Sequence, residues 1–266
     1  TYRTTSNPVT LNDAISDAAN IGFSYQLFPK VRFKALYGVL AATANSEKFS
    51  EALVDVSFAL KPLKMQNLEI GFRRDLQTFN AELIARQIVQ NNFYTNYSVS
   101  TNYNVGWFTQ YFYTTQSDEN TRNLLFTSLY YNISNKPSFK AGFNYQYLSF
   151  KNQVPTIYFS PERFNAVEVF LDLIKTEDAA KPKEWFYNLN AAYGLQYIED
   201  NPSLSSYRIQ ATLGYRFSDR VTANFYGIRS NIASAAGNAN ANGFTYTEFG
   251  FRLKWLFLKK PVFRKD

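Results

Sequence analysis

The acidic pair Glu168 and Asp172 has the residue types of a glycosidase site. The two carboxylates are four positions apart in a segment of alternating character, so on a strand they would face the same side. At about 3.3 Å per residue they would lie about 13 Å apart. Glycosidases hold their two carboxylates about 5–9.5 Å apart. The spacing therefore argues against both usual glycosidase geometries.

Other catalytic chemistry is excluded by composition. The chain has no Cys and no His, which rules out zinc–Cys/His sites, iron–sulfur clusters, histidine-ligated haem, cysteine proteases and Ser-His-Asp triads. The 11 Gly residues are dispersed, so no phosphate-binding loop is present. Nucleic-acid binding is also disfavoured, because the net charge of +7 forms no basic cluster apart from the terminal Lys259, Lys260, Arg264 and Lys265. We predict a non-enzyme without cofactor or metal.

The charged residues instead recur along one face of alternating segments. Counted with Lys61, Asp55 and Glu69, that face carries nine basic and five acidic residues, a balance that favours an anionic or neutral hydrophilic solute. Alternatively, many of these charges pair across neighbouring strands and only hold the wall together. The candidate lumen residues are Arg32, Lys34, Arg73, Lys140, Glu168, Asp172, Arg208, Arg216, Glu248, Arg252 and Lys254.

The elements that carry these charges are predicted by period-two alternation. From 248 to 257, Phe249, Phe251 and Leu253 alternate with Glu248 and Arg252. The 25 Phe, 20 Tyr and 3 Trp belong largely to such apolar faces, although the mean hydropathy is −0.32. No apolar run approaches the roughly 18 residues of a membrane helix. The composition therefore fits either a soluble all-β protein or an outer-membrane barrel.

About fourteen segments alternate in this way, and several have the length of a tilted membrane strand, about 9–11 residues. The links between them are alternately short and long, as the periplasmic turns and external loops of outer-membrane barrels are. This pattern predicts a single domain over residues 1–266, a transmembrane antiparallel up-and-down β-barrel with its C-terminus in the periplasm. The segments are 1–5, 21–28, 31–43, 50–61, 67–75, 95–103, 106–115, 122–132, 138–150, 164–175, 184–198, 205–216, 220–231 and 243–257.

Aromatic residues near the predicted strand ends favour a barrel over the alternative, a soluble β-sandwich. Interfacial girdles of this kind flank the lipid-facing band of outer-membrane barrels. The girdle candidates are Tyr25, Phe28, Trp107, Tyr113, Phe150, Trp185, Phe186, Tyr197, Phe217, Trp255 and Phe257.

A second aromatic set is placed on or near the lumen. These rings could stack against sugars, or they could merely fill space. The set is Phe28, Phe108, Phe112, Phe170 and Tyr226. Two links, 6–20 and 76–94, carry weak helical patterns, and the second could fold back as a lid.

One segment resembles a known family. The run Ile157 to Phe164 (IYFSPERF) is similar to the Tyr/Phe-Ser-Pro motif in the C-terminal barrel of the outer-membrane component of the cellulose synthase operon. Related barrels occur in the poly-N-acetylglucosamine export porin and other tetratricopeptide-repeat-linked barrels. Other matching features, in order, are Tyr2-Arg3 ending a strand, Phe72-Arg73-Arg74 before a long loop, a Gly106-Trp107 turn, and Gly142 to Tyr147 (GFNYQY).

The resemblance implies an outer-membrane channel through which a growing exopolysaccharide leaves the periplasm. It implies a preceding periplasmic repeat domain that docks the synthesis machinery, so the chain is expected to be a barrel excised from a longer protein. It also implies up to sixteen strands, because barrels of this family commonly have about sixteen. The motif carries over to Tyr158, Phe159, Ser160, Pro161, Arg163 and Phe164, which we expect to form a structural or gating loop.

From these observations we predict an export channel in the outer membrane of a Gram-negative-type envelope, in contact with lipid and with a polysaccharide or other hydrophilic solute. Two alternatives stay open. One is a general or solute-specific porin. The other is a plugged structural or secretion-system barrel whose loops bind partner proteins.

Overall fold

The fold is one antiparallel sheet in which every strand pairs with its neighbours in sequence order. The computed structural model describes residues 2–3, 13–78, 81–101, 104–155, 157–177, 183–231 and 245–255. The strands are β1 Tyr2–Arg3, β2 Asp13–Phe28, β3 Val31–Ala44, β4 Glu47–Leu60, β5 Gln66–Leu76, β6 Val89–Ser100, β7 Val105–Gln116, β8 Thr121–Asn135, β9 Ser138–Phe150, β10 Phe164–Lys175, β11 Glu184–Ile198, β12 Leu204–Arg216, β13 Val221–Ser230 and β14 Tyr246–Trp255. A single described helix, α1, spans Ala81–Ala85.

The sheet has fourteen strands in up-and-down order, which confirms the predicted fold class and strand number. The pairing runs from β1 to β14, and within the described ranges no register joins β14 to β1 or β2. No helix in these ranges is long and apolar enough to cross a bilayer.

One face of the sheet is convex and apolar. Large side chains such as Ile21, Phe143, Phe225 and Phe249 alternate along their strands and are 61–86% exposed. A water-soluble monomer rarely exposes so wide an apolar surface. This face is therefore suited to lipid, where backbone groups must pair within the sheet as they do here.

The opposite face is concave, as α1 demonstrates. Ala81 and Ile84 pack in a buried cluster with Leu40 and Ala42 of β3. Leu83, on the same short helix, packs in a second cluster with β9 and β10. A helix of 5 residues can reach strands so distant in the sheet only if the sheet curls around it. We call this concave surface the inner face.

Links lie at two ends of the sheet. The end that holds 29–30 and 136–137 is the turn end, and the end that holds 77–88 and 151–163 is the loop end. The predicted contrast in length holds for 77–88 and 151–163 but is wrong for 44–49, and the loop-end links 117–120 and 199–203 are no longer than the turn-end link 61–65. Within 44–49, β4 begins at Glu47, and Asn45 and Ser46, with φ of 50° and 72°, form a two-residue hairpin turn.

Three more sequence predictions about links and turns are wrong. Residues 13–20 of the predicted loop 6–20 belong to β2, and the remainder of that loop lies outside the described residues. Residues 89–94 of the predicted loop 76–94 belong to β6, although the weak helical pattern before them does form α1. The Gly106-Trp107 turn lies inside β7.

Candidate functional site

The candidate site is the inner face, and the strand register places the predicted lumen residues on it. Cross-strand partners point to the same face of a sheet. Arg73 is opposite Asp55, Asp172 is opposite Lys140, and Arg252 is opposite Asn224, each on the face that holds the clusters around α1. By the same register this face also holds Arg32, Lys34, Glu168, Arg208, Arg216, Glu248 and Lys254.

The carboxylate of Asp55 anchors one charged group of this face. Its Oδ2 atom lies 3.2 Å from Lys34 Nζ and 3.2 Å from Arg73 Nη2. Its Oδ1 atom accepts a hydrogen bond of 3.1 Å from the Tyr94 hydroxyl. The side chains of Lys34 and Arg73 are nearly half exposed, whereas that of Asp55 is 11% exposed. Asp55 is thus neutralised in the wall, and the two cations are exposed on the inner face.

A second charged group joins β10 and β12. Arg208 Nη2 lies 3.6 Å from Glu168 Oε2, and the Glu168 side chain is only 4% exposed. The other carboxylate oxygen, Oε1, is buried and has no hydrogen-bond partner among the described residues. Glu168 therefore depends on a single cation for its neutralisation.

Arg216, at the turn end of β12, has two carboxylate partners among the described residues, whereas Arg208 has one. Its Nη1 atom lies 2.9 Å from Glu177 and its Nη2 atom lies 3.6 Å from Asp219. The sequence left open that many of these charges pair with one another and hold the wall together. Such pairing is observed for Lys34, Arg73, Glu168, Arg208 and Arg216.

Two further cations lie over aromatic rings. Lys140 Nζ is 4.9 Å from the ring centre of Tyr130, and Arg252 Cζ is 4.5 Å from that of Tyr226. Such contacts contribute about 0.5–2 kcal/mol.

The rings below these cations lie against glycine on the next strand. A Cβ atom placed on Gly106 would come within 2.2 Å of the Tyr130 ring, and one on Gly250 within 2.5 Å of the Tyr226 ring. These glycines therefore let the rings lie flat against the inner wall. The sequence signal for this arrangement, an aromatic residue opposite a glycine, appears only once the register is known.

Of the aromatic residues predicted near the lumen, Phe108, Phe112, Phe170 and Tyr226 share the inner face by register. The prediction for Phe28 is wrong. The register shifts between Gln26 and Phe28, so Phe28 pairs with Val31 and is 66% exposed on the convex face. A bulge of one residue reverses the direction of the side chains that follow it.

The loop end of the inner face is covered by apolar side chains from two links, which we call the cap: α1 and the segment 157–161. Leu83 of α1 is 1% exposed and packs with Tyr158 and Phe159 against Leu148 and Phe164. Ile84 is 0% exposed and packs toward β3. The cap thus forms an apolar bridge from β3 to β10 across the inner face.

The Ser-Pro loop is the buried side of this cap. Tyr158, Phe159, Ser160, Pro161 and Phe164 are all buried, and the Phe159 and Phe164 rings meet edge to face at 5.6 Å. Ser160 Oγ accepts a hydrogen bond of 2.7 Å from the Val154 amide. Arg163 is exposed and lies 2.7 Å from Asp200.

Tyr158 fastens this loop to the link 117–120. Its hydroxyl donates to Asp118 at 2.7 Å, with Gln116 a second acceptor at 3.1 Å, and it accepts from Asn120 Nδ2 at 2.8 Å. Burial, followed by the hydrogen bond to Asp118, raises the pKa of the Tyr158 phenol. The phenol is therefore neutral and able to donate at every pH near neutrality. Sequence reasoning missed Asn120, which is buried and also bonds the backbone of Asn152.

Replacing Tyr158 with Phe should loosen this loop without unfolding the sheet. The change removes the hydrogen bonds of the phenol with Asp118, Asn120 and the buried Gln116, which costs about 1–3 kcal/mol, so amide exchange over 151–161 should accelerate by about tenfold or more. Hydrogen-exchange mass spectrometry of the full chain measures this. Tyr193→Phe, on the convex face at 62% exposure, is the matched control and should change nothing. Equal exchange in both variants would contradict the assignment.

No family model and no curated protein matches the chain. A solved structure described as a bacterial polysaccharide outer membrane secretin does match, with a TM-score of 0.71 and 12% sequence identity. The match covers 91% of this chain and 81% of that one. The fold is that of an outer-membrane β-barrel.

The exposed aromatic residues agree with this fold. Most predicted girdle residues lie on the convex face, at 39–66% exposure: Tyr25, Phe28, Trp107, Tyr113, Trp185, Tyr197, Phe217 and Trp255. Two are wrong. Phe150 packs under the cap, and Phe186 lies on the inner face against Gly214. Phe257 lies outside the described residues.

Proposed function

We propose that the protein is a channel of the bacterial outer membrane through which a hydrophilic polymer, an exopolysaccharide, is exported. The observation that carries the proposal is the division of the sheet into a convex apolar face and an inner face lined by charged, amide and aromatic side chains. A likeness in fold to a protein described as a polysaccharide outer membrane secretin supports it.

In this proposal the convex face contacts lipid, and the turn end and C-terminus face the periplasm. The polymer would move along the inner face, where paired carboxylates leave Lys34 and Arg73 directed at the lumen. The lining would be modestly cationic. Periplasmic proteins of a synthesis complex would deliver the polymer to the turn end, and movement would be passive, driven by chain growth.

A second candidate function is a plugged structural barrel, and the cap favours it. Buried Leu83 and Ile84 would narrow the loop end in a way that a permanently open diffusion porin would not require. In the export proposal the same cap is a closure that the polymer displaces.

Planar-bilayer recordings distinguish these functions. The export channel should show discrete conductance steps, and cellohexaose added at the turn end should reduce the current. A porin should conduct equally well whether the cap is in place or opened. It should also admit small sugars into liposomes, which liposome swelling measures. Current steps absent both from the natural chain and from a variant in which Leu83→Ser and Ile84→Ser open the cap would contradict export and support the plugged barrel.

A further inference from the structure

A cavity of about 420 Å³ lies inside the turn end, between β2 and β7. Ligand pockets typically measure about 300–1,000 Å³. We propose that this cavity is an entrance subsite for an anionic sugar residue, one that carries a carboxylate, sulfate or phosphate. The proposal rests on the export function, because the subsite would be the first surface that a polymer meets at the periplasmic end.

The cations at this cavity are not neutralised by the described residues. Lys30, Arg32 and Lys61 line it, and in the described part of the chain no carboxylate lies within 4.0 Å of their side-chain nitrogens. Among the described residues, the Arg32 guanidinium has a single, long hydrogen bond of 3.4 Å, to Gln26. The cavity carboxylate, Glu69, accepts instead from Tyr94 and Asn96, at 3.4 Å each. The balance at the cavity is therefore positive.

Three other cations of the inner face have carboxylate partners. Arg73 shares the carboxylate of Asp55, Arg208 faces Glu168, and Arg216 is held by Glu177. Lys140 and Arg252 lie over aromatic rings instead, so among the described residues the cavity is where three cations without a carboxylate or ring partner come together. Such an arrangement attracts an anion from the periplasm and does not bind it tightly further on.

The remaining walls suit a sugar ring. Phe108 lines the cavity and is supported from the next strand by Phe126, with ring centres 6.1 Å apart. An aromatic ring stacks on the apolar C–H face of a sugar. Asn67 and Asn96 also line the cavity, and their amides can bond hydroxyl groups. A ring, amides and free cations together match an acidic sugar better than a neutral one.

Calorimetric titration of the full chain in detergent tests the subsite. The probes are tetragalacturonic acid, a chondroitin sulfate tetrasaccharide and neutral cellotetraose. We expect at least one anionic probe to bind about tenfold more tightly than cellotetraose, the sum of three modest exposed ion pairs. Tighter binding of the chondroitin sulfate probe, which carries sulfate in addition to carboxylate groups, would show that sulfate strengthens binding. Equal affinity for all three probes would overturn the proposal.

Charge-matched variants locate the site. The triple change Lys30→Gln, Arg32→Gln and Lys61→Gln should remove the preference for anions. The control triple Lys48→Gln, Lys151→Gln and Arg220→Gln removes the same charge at exposed positions outside the cavity and should keep that preference. Phe108→Leu should weaken all probes together. Equal loss of the preference in both triples would show general charge attraction and overturn the subsite.

Bilayer recordings distinguish failure of the anionic subsite from failure of the proposed export function. Current steps blocked equally by cellohexaose and galacturonate oligomers would keep the channel and reject the anionic subsite. Current steps absent from both the natural chain and the variant with the cap opened would reject export itself.

Discussion

Replacing Leu83 and Ile84 with Ser should raise the single-channel conductance severalfold. Both side chains are buried in the cap, at 1% and 0% exposure. Loss of a buried aliphatic side chain costs about 2–5 kcal/mol, more than a helix of 5 residues can gain from its own hydrogen bonds. The helix should therefore leave the inner face, and an apolar constriction that resists wetting should become an open aqueous path.

The matched control is Ile209→Ser with Leu213→Ser, which changes the same residue types on the convex face, where both are at least half exposed. Its conductance should equal that of the natural chain. Hydrogen exchange over 81–88 reports independently whether α1 has been released. Released α1 with unchanged conductance would show that the cap is not the constriction.

The cap illustrates what the sequence could not predict. The pattern at 81–88 indicates a short helical face, but so short a pattern gives no information about what it packs on. Leu83 and Phe159 are 76 positions apart in the sequence and meet only because the sheet curls. The resemblance of the Ser-Pro motif to a family identified one of the two packed segments as a structural or gating loop. The contact between the two links is tertiary and has no local signal.

Strands were predictable where large apolar and charged residues alternate. β10 and β14 are of this kind: the predicted bounds of β10 are the observed ones, and β14 lies within its predicted segment 243–257. The first half of β2 was missed because Ala14, Ser16, Ala18 and Ala19 are all small, which leaves little contrast between the two faces. The hairpin turn at Asn45 and Ser46 was missed because it lacks Gly, the usual residue at positive φ.

The alternation of odd and even positions along each strand was enough to predict which face a charged residue lies on. It was not enough to predict its partner. Parity placed Arg208 and Glu168 on one face without showing that they meet, since this requires the register of β10 and β12 against β11. Arg122, partly buried beside Thr114 and Asn92 on the same face, was not among the predicted lumen residues. Pair identity is a property of register, and register is fixed by the whole sheet.

The pairing of Glu168 yields the largest expected effect on stability. Replacing Arg208 with Met should lower the free energy of unfolding by about 3–5 kcal/mol, because it leaves a buried carboxylate without its cation. The Glu168 side chain is 4% exposed, and its Oε1 atom already lacks a partner among the described residues, so the wall offers little compensation. Urea-induced unfolding in lipid vesicles, followed by tryptophan fluorescence, measures the change.

A second substitution separates the charge from the packing of the Arg208 side chain. Adding Glu168→Gln to Arg208→Met removes the unpaired charge, so the double variant should recover most of the lost stability. The control Arg252→Met removes a cation that lies over the Tyr226 ring and should cost only about 0.5–2 kcal/mol. A double variant no more stable than Arg208→Met alone would show that Arg208 acts through its aliphatic contacts. In that case neutralisation of the Glu168 carboxylate by Arg208 would not be what stabilises the sheet at β10 and β12.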